Sequence, residues 1–141
     1  PRYLMGVGLP ADLFEAVSQG VDMFDCVVPT RNGRNATVFS STGKLLLRGA
    51  SYIRDFRPID ETCPCYTCKH HTRAYLRHLF NAEEILAMQL NTLHNLHFMI
   101  ELTRIIRKAV REDGFNEVKR AFFSKYRVEN EIYLRTKEGT K

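Results

Sequence analysis

Three of the chain's four cysteines lie within six residues, in the segment Cys63-Pro64-Cys65-Tyr66-Thr67-Cys68. Disulfide geometry requires Cα atoms roughly 4.4–6.8 Å apart with converging Cβ vectors, which the two-residue spacing of Cys63 and Cys65 meets poorly. Three thiolates from one tight turn instead suit a tetrahedral zinc ion, which needs one more ligand from elsewhere in the chain. The C-x-C-x-x-C spacing therefore predicts a zinc knuckle.

Histidine is the natural fourth ligand, and the chain has five: His70, His71, His78, His94 and His97. His70 and His71 follow Cys68 so closely that a shared metal would strain the turn. His94 and His97 lie one turn apart in a predicted helix and share a face, so the spacing does not separate them. Either one closes a set of four ligands with no open position, which describes a structural zinc.

The 141 residues, 44% of them hydrophobic, suffice for one core of ordinary size. No apolar run approaches the ~20 residues that span a bilayer, so we expect no membrane partner. The chain does not begin with Met, has no signal-peptide pattern and opens in a strand-like run, so we expect a piece of a longer polypeptide. Cysteines reserved for a metal fit a reducing compartment and predict a cytoplasmic protein.

The net charge of +5 is moderate, and a solvated basic surface would explain it equally well. The position of the charges favours a polyanionic partner, because basic and aromatic side chains alternate through the middle of the chain. Contacts of this kind with phosphates make binding salt-dependent. The residues concerned are Arg31, Arg34, Lys44, Arg48, Tyr52, Arg54, Phe56, Arg57, Tyr66, Lys69, His70, His71, Arg73, Tyr75 and Arg77.

The first third of the chain has the pattern of an α/β fold. Residues 2–8 predict a buried strand, and residues 23–28 predict a second apolar strand that Pro29 stops. Between them, Pro10 is suited to the first turn of a helix that Gly20 can end. A strand–helix–strand unit with so short a connection is typical of a parallel sheet.

A hairpin and several helices follow. The hairpin is predicted from strands at residues 37–39 and 44–47 with a turn at 40–43. After the knuckle, Asn81 and Glu84 form a plausible capping pair for one helix. A long helix should run through Leu93, Leu96, Ile100, Ile105 and Val110 and end near Gly114. A last amphipathic helix uses Phe115, Val118, Phe122 and Phe123, before a polar tail that starts at Glu129.

Asp25 is out of place in its strand. A carboxylate inside an apolar run is costly unless it is paired, for example with an arginine, or has a chemical role. The residue lies near the carboxyl end of a predicted parallel strand, where α/β sheets and barrels place their active sites. Asp25 is therefore a candidate nucleophile or general base, whereas its neighbour Cys26 should point to the opposite face and pack in the core.

Several of these segments together resemble bacterial tRNA-guanine transglycosylases (queuine tRNA-ribosyltransferases). The segments are residues 3–8, 22–35, 63–68 and 93–96, in the order that the family has them. The resemblance covers essentially the whole chain and corresponds to the C-terminal part of the family's enzyme. It implies the end of a (β/α)8 TIM-type barrel, with a zinc-binding subdomain and closing helices.

On this basis we expect three regions. Residues 1–50 would hold the last barrel strands with a hairpin insertion, residues 51–100 the zinc-binding subdomain, and residues 101–141 the C-terminal helices and tail. The N-terminal barrel strands of the family are absent, so we expect the chain alone to be inactive.

The resemblance also implies a reaction and the residues that perform it. Asp25 would attack the ribose of the guanosine at the wobble position of a tRNA anticodon, and 7-aminomethyl-7-deazaguanine, a queuosine precursor, would then replace guanine. Tyr3, Met5 and Gly6 would bind the base, and Arg31 and Arg34 would bind the tRNA. The zinc ligands would be Cys63, Cys65, Cys68 and His94, which leaves His97 without a metal role. The family also implies a homodimer.

Two other functions are compatible with the sequence. A family member that has lost its nucleophile could serve as a non-catalytic tRNA-binding partner subunit, although Asp25 and the Tyr3, Met5 and Gly6 set are present here. A zinc-containing RNA-binding module would explain the charge but not an aspartate within an apolar strand. Base-exchange activity distinguishes the enzyme from both alternatives.

Overall fold

The computed structural model of the chain describes residues 1–128. The polar tail expected from Glu129 onward lies outside the described residues. Four strands and six α-helices follow one another along this part of the chain, with a short 3-10 turn at Ala50–Tyr52. Their bounds are β1 Tyr3–Met5, α1 Pro10–Ser18, β2 Met23–Asp25, α2 Val28–Arg34, β3 Thr37–Ser40, β4 Gly43–Leu46, α3 Tyr66–His70, α4 Arg73–Asn81, α5 Ile85–Arg111 and α6 Phe115–Lys125.

The strand–helix–strand unit has the predicted parallel topology. β1 and β2 pair in parallel, with Tyr3 opposite Met23 and Met5 opposite Asp25. The connecting helix α1 begins at Pro10, whose fixed φ suits a first turn. Gly20 follows the helix at φ +85°, a conformation that residues with a Cβ avoid. The mixed α/β class is therefore confirmed.

Two predicted strands are shorter and less buried than expected. β1 covers three residues instead of residues 2–8, and Tyr3 and Met5 are exposed. β2 ends at Asp25, and Val28 already begins α2, with Pro29 in its first turn. The strand predicted over residues 23–28 was therefore too long, because proline is also favourable in the first turn of a helix and α2 begins at Val28.

The hairpin formed by β3 and β4 is antiparallel, as predicted, with Val38 opposite Leu45. The capping pair predicted from Asn81 and Glu84 was wrong. Asn81 is the last residue of α4, and Glu84 precedes α5 without a capping side-chain hydrogen bond.

Helix α5 organises the core. At 27 residues it is about 40 Å long. Its first half packs in one buried cluster with the hairpin and α4, and its second half packs in another with α1. Phe115, Val118, Phe122 and Phe123 of α6 cover the second cluster, as the amphipathic pattern predicted. The apolar residues that indicated α5 nevertheless lie on its more open side, since Leu93, Leu96, Ile100, Ile105 and Val110 are 42–53% exposed.

Two adjacent side chains of α5 bind the open edge of strand β3. Asn95, which is fully buried, accepts a hydrogen bond from the Phe39 N–H (3.1 Å) and donates to the carbonyls of Thr37 and Pro29 (both 3.0 Å). His94 Nε2 lies 2.6 Å from the Phe39 carbonyl. Both backbone groups of Phe39 are thus paired by side chains, which keeps a buried strand edge satisfied.

Helices α2 and α5 touch through their backbones. A Cβ placed on Gly33 would lie 2.9 Å from both the backbone nitrogen and the Cα of Thr92. Contacts this short do not occur, so only glycine permits this approach. Within residues 1–128, no helix combines the length and the apolar character needed to cross a membrane.

We expect Gly33→Ala to destabilise the chain by about 2 kcal/mol or more, because the new methyl group meets helix backbone that cannot move aside. Alanine normally stabilises a helix interior, so helix propensity alone predicts the opposite sign. Chemical denaturation measures the difference. Gly114→Ala is the matched control, since a Cβ at that position meets nothing within 4 Å. Equal unfolding free energies for the two variants would contradict the contact.

Candidate functional site

The zinc knuckle is shaped by local hydrogen bonds around its cysteines. Cys65 immediately precedes α3, and its Sγ accepts a hydrogen bond from the Cys68 N–H at 3.4 Å. The Cys63 N–H bonds the Asp60 carbonyl at 3.2 Å. These bonds turn the segment so that its three sulfurs face one point.

His94 completes the cluster from α5. Its Nδ1 lies 3.8 Å from Cys63 Sγ, 3.4 Å from Cys65 Sγ and 3.3 Å from Cys68 Sγ. All four ligand atoms are within 4.8 Å of one another. Tetrahedral zinc with bonds of about 2.3 Å to sulfur and 2.0 Å to nitrogen requires S···N separations of roughly 3.5 Å. The donor set therefore fits a structural zinc ion with no open position.

The thiols are too close to ionise independently. Hydrogen bonds from Cys63 and Cys68 lower the pKa of Cys65, whereas those with Cys63 and Cys65 raise the pKa of Cys68. Burial lowers the pKa of His94, but hydrogen bonds with Cys63, Cys65 and the Phe39 backbone, together with the charge of Cys65, outweigh burial and raise it to about 9. A divalent cation removes this competition, because it stabilises all the thiolates at once.

The surroundings of the cluster orient its ligands. With zinc on Nδ1, His94 carries its proton on Nε2 and donates it to the Phe39 carbonyl. Buried Asp60 accepts hydrogen bonds from Ser41 N (2.5 Å) and from the backbone and hydroxyl of Thr62 (2.9 and 2.7 Å). Burial raises the pKa of Asp60, but these bonds outweigh burial and hold it below its usual range. Asp60 thereby ties the hairpin turn to the knuckle.

The other candidate histidines lie apart from the metal cluster. His97, which spacing could not separate from His94, does not belong to the four-residue group. The His70 and His71 rings contact the ring of Tyr66 instead, with centroids 4.6 and 5.8 Å away. The structure thus selects His94, as the resemblance implied.

A second group of predicted residues meets on one face of the β1–β2 sheet. The Tyr3 hydroxyl donates a 2.6 Å hydrogen bond to Asp25 Oδ1. Met5 pairs with Asp25 across the strands, and the Gly6 N–H donates to the Asp25 carbonyl at 3.0 Å. Gly6 has φ +73° and open space where a side chain would be. Tyr3, Met5, Gly6 and Asp25 are therefore neighbours, as a single site requires.

Asp25 is exposed, so the cost of burying a carboxylate within an apolar run does not arise in this structure. The three-residue strands alternate: Leu4 and Phe24 are partly buried, whereas Tyr3, Met5 and Asp25 face outward. Within residues 1–128, no arginine, lysine or histidine forms an ion pair with Asp25. The interpretation of Asp25 as one half of a structural ion pair therefore has no support.

Cys26 points to the opposite face, as predicted. Cys26 packs beside the second core cluster, and a Cβ placed on Gly8 would lie only 2.5 Å from the Cβ of Cys26. Its Sγ accepts a hydrogen bond from the Val28 N–H at 3.3 Å. Cys26 is thus a packing residue at the junction of β2 and α2.

Arg31 and Arg34 lie on α2, the helix that directly follows β2. Neither is buried, and within residues 1–128 neither forms an ion pair. Their guanidinium groups are therefore free to bind a ligand, on the helix that follows the strand carrying Asp25.

Sequence reasoning missed two features of these sites. The Tyr3–Asp25 hydrogen bond depends on the register of two strands, which a single sequence does not give. The bonds from Thr62 to Asp60 had a local signal, since an aspartate side chain commonly accepts a bond from the backbone N–H two residues on, in an Asx turn.

The metal centre of three cysteines and one histidine fits a zinc-containing α/β protein. The aspartate that Tyr3 binds on the parallel sheet adds a candidate carboxylate site. Comparisons with known proteins identify the family. Residues 1–128 match the family described as Queuine tRNA-ribosyltransferase. The chain belongs to that family.

Several curated relatives carry the same name. The protein from Thermoanaerobacter sp. (strain X514) is 60% identical over 131 residues, which are 93% of this chain and 35% of the relative. The protein from Caldanaerobacter subterraneus subsp. tengcongensis is 62% identical over 126 residues, 89% of this chain and 34% of the relative. The Bacillus subtilis (strain 168) protein is 53% identical over 126 residues, 89% of this chain and 33% of the relative. The chain spans about a third of the length of these relatives.

We expect Cys65→Ser to lose zinc and to lower the Tm by at least about 10 °C, because a structural zinc contributes its binding free energy to folding. Metal analysis by mass spectrometry and thermal denaturation measure the two effects. His97→Ala is the control and should keep one zinc per chain, since His97 lies outside the ligand group. Full zinc occupancy in the Cys65 variant would show that the ligand assignment is wrong.

Proposed function

We propose that this chain carries the nucleophile and the structural zinc of a tRNA-guanine transglycosylase, a pentosyltransferase. The enzyme would replace guanine at the anticodon wobble position with 7-aminomethyl-7-deazaguanine or a related base. The observation that carries the proposal is the Tyr3–Asp25 pair, which sets an exposed carboxylate beside Met5 and Gly6.

The proposed reaction is a double displacement at the ribose. A carboxylate oxygen of Asp25 bonds to C1′ while the bond from C1′ to guanine N9 breaks, and guanine takes up a proton as it leaves. The incoming base then attacks C1′, loses its own proton and releases the carboxylate. Two inversions retain the configuration, as in retaining glycosidases. The target nucleotide must leave its stack to reach the site.

The Tyr3 hydroxyl has a specific role in this proposal. It bonds only one carboxylate oxygen, Oδ1, which leaves Oδ2 for the attack on C1′. The hydrogen bond to Asp25 raises the pKa of Tyr3, so the hydroxyl stays protonated and remains a donor at neutral pH. Tyr3 would therefore position the nucleophile in addition to flanking the base.

Met5 and Gly6 supply the surface on which the base would lie. The Met5 side chain is 73% exposed and directly opposite Asp25. A thioether packs well against a flat ring. The open space at Gly6 allows the ring to approach the backbone closely.

The tRNA would be held by α2. Arg31 and Arg34 are accessible and close in sequence to Asp25, so phosphates of the anticodon loop bound there would bring the wobble nucleotide to β2. The N-terminus of α2 is also continuous with the strand that carries the nucleophile.

The larger architecture remains part of the proposal. Parallel pairing of β1 and β2 through α1 supports their assignment to a (β/α)8 barrel. The division at residues 50 and 100 into barrel strands, zinc-binding subdomain and closing helices follows from the same resemblance. The homodimer follows from the resemblance alone, and location in the cytoplasm from the use of the cysteines for zinc.

We expect Asp25→Asn, placed in an enzyme of the relatives' full length, to lower base exchange by at least roughly 10³-fold, because the amide cannot form the ester-like bond to C1′. With aspartate present and the incoming base withheld, a protein–tRNA adduct should survive denaturing electrophoresis. The asparagine variant should bind tRNA normally and give no adduct.

Asp22→Asn is the matched control for the nucleophile. Asp22 lies three residues earlier, and its carboxylate accepts a hydrogen bond from the Arg2 N–H at 2.7 Å, away from Tyr3. This variant should keep most of the exchange activity. Normal turnover in Asp25→Asn, or an adduct mapped to another carboxylate, would contradict the mechanism.

Binding to tRNA should weaken steeply as salt rises. Arg31→Ala and Arg34→Ala should each lower the affinity and reduce the slope of log K against log[salt] by about 1, if each arginine neutralises one phosphate. Fluorescence anisotropy with labelled tRNA, measured between about 50 and 200 mM salt, tests this. An affinity that does not change with salt would exclude phosphate binding by α2.

A further inference from the structure

The segment before the zinc knuckle is held by a partly buried carboxylate. Asp55, whose side chain is 9% exposed, accepts hydrogen bonds from Arg57 Nε (2.9 Å) and a terminal Arg57 nitrogen (2.8 Å), and pairs with Arg73 at 3.1 Å. Arg73 also donates to the Ile59 carbonyl at 2.8 Å. These hydrogen bonds hold the pKa of Asp55 well below its usual range, and those from Arg57 contribute most. The carboxylate is therefore charged throughout the neutral range.

The backbone of the same segment is bonded to the start of α4. The Arg73 N–H donates to the Arg57 carbonyl and the Ala74 N–H to the Asp55 carbonyl, both at 2.9 Å. Side-chain and backbone bonds together fix residues 55–57 against a helix. A surface built on this segment therefore needs little ordering when it binds a partner.

The fixed segment presents an exposed aromatic ring. Phe56 is 74% exposed, and it lies between Arg54, which is exposed, and Arg57, whose side chain is 63% exposed. We call Arg54, Phe56 and Arg57 the Phe56 platform. The platform lines an open depression of about 570 Å³, together with Ser51 and Asp55.

The local charge is positive. Two guanidinium groups, those of Arg57 and Arg73, share the Asp55 carboxylate. With Arg54, three arginines face the charges of Asp55 and Glu61, the second of which also acts on Arg57. Within residues 1–128, Arg54 has no ion-pair partner. Arg57 binds Asp55 through Nε and one terminal nitrogen, which leaves its other terminal nitrogen for a ligand.

We propose that the Phe56 platform is an additional RNA contact, at which an unpaired base stacks on the Phe56 ring while Arg54 and Arg57 bind the adjoining phosphates. An aromatic ring flanked by cations is the arrangement with which proteins bind single-stranded nucleic acids. Protein-binding hot spots instead surround their anchor with contacts that exclude water, whereas the immediate neighbours of Phe56 are charged. The inference rests on the proposed function for the identity of the RNA, a tRNA.

The test measures the affinity for fluorescent tRNA of the zinc-loaded enzyme of the relatives' full length, with the substitutions made in this chain. Phe56→Ala should weaken binding by about 5- to 150-fold, the range that loss of one stacked base gives. Phe56→Tyr should keep the affinity, because it keeps the ring. The matched control is Ile53→Ala, which removes an apolar side chain of similar exposure (55%) that cannot stack in this way. Arg54→Ala should weaken binding and lower the salt slope by about 1.

A second measurement detects the stacking itself. A tRNA with single 2-aminopurine substitutions at successive unpaired positions should show a fluorescence change on binding at one of them. Phe56→Ala should abolish that change and Phe56→Tyr should preserve it. The large exposure of Phe56 means that these substitutions leave the core untouched.

The outcomes separate this inference from the proposed function. If Arg31→Ala weakens tRNA binding while Phe56→Ala matches the wild type, the platform is not an RNA contact and the proposed function stands. If Phe56→Ala alters only self-association in light scattering, the platform is a protein interface and the inference is wrong. If an enzyme of the relatives' full length that carries this chain binds no tRNA at any salt concentration, both the platform and the tRNA site on α2 are excluded.

Discussion

The structure depends on one turn of α5 whose side chains form hydrogen bonds with the backbone groups along the outer edge of strand β3. A hairpin packed against a helix leaves buried N–H and C=O groups on its outer edge, and each would cost about 1–3 kcal/mol if unpaired. His94 and Asn95 pair the carbonyl and the N–H of Phe39, and Asn95 also reaches Thr37 and Pro29. A single helical turn therefore joins the zinc centre, the hairpin and the start of α2.

This arrangement explains why a structural metal can matter to a site that it does not touch. Zinc fixes His94, His94 and Asn95 fix β3, and Asn95 holds Pro29 at the start of the helix that follows Asp25. The backbone contact between Gly33 and Thr92 keeps α2 in place along its length. The positions of Arg31 and Arg34 thus depend on the packing of α5 as much as on their own helix.

The parts of the fold that could be predicted have local causes. Pro10 and Gly20 mark the start and the end of α1 through their backbone preferences, and the cysteine spacing indicated the metal centre. The hairpin followed from a short turn between apolar runs. What the sequence did not contain was long-range pairing. The selection of His94 over His97 and the hydrogen bond between Tyr3 and Asp25 both depend on how distant segments are placed. The exposed strand face around Asp25 and the pairing of Asp55 with Arg73 also depend on the placement of distant segments.

The double use of His94 has a consequence for the choice of metal ligand. Four cysteines bind zinc as well as three cysteines and a histidine do, so cysteine at position 94 would satisfy the ion. A thiolate, however, has one functional atom, whereas imidazole has two nitrogens that point in different directions from the ring. Cysteine would coordinate the metal and leave the Phe39 carbonyl buried without a donor. The histidine is therefore required by the protein backbone, and the zinc ion alone would accept either residue.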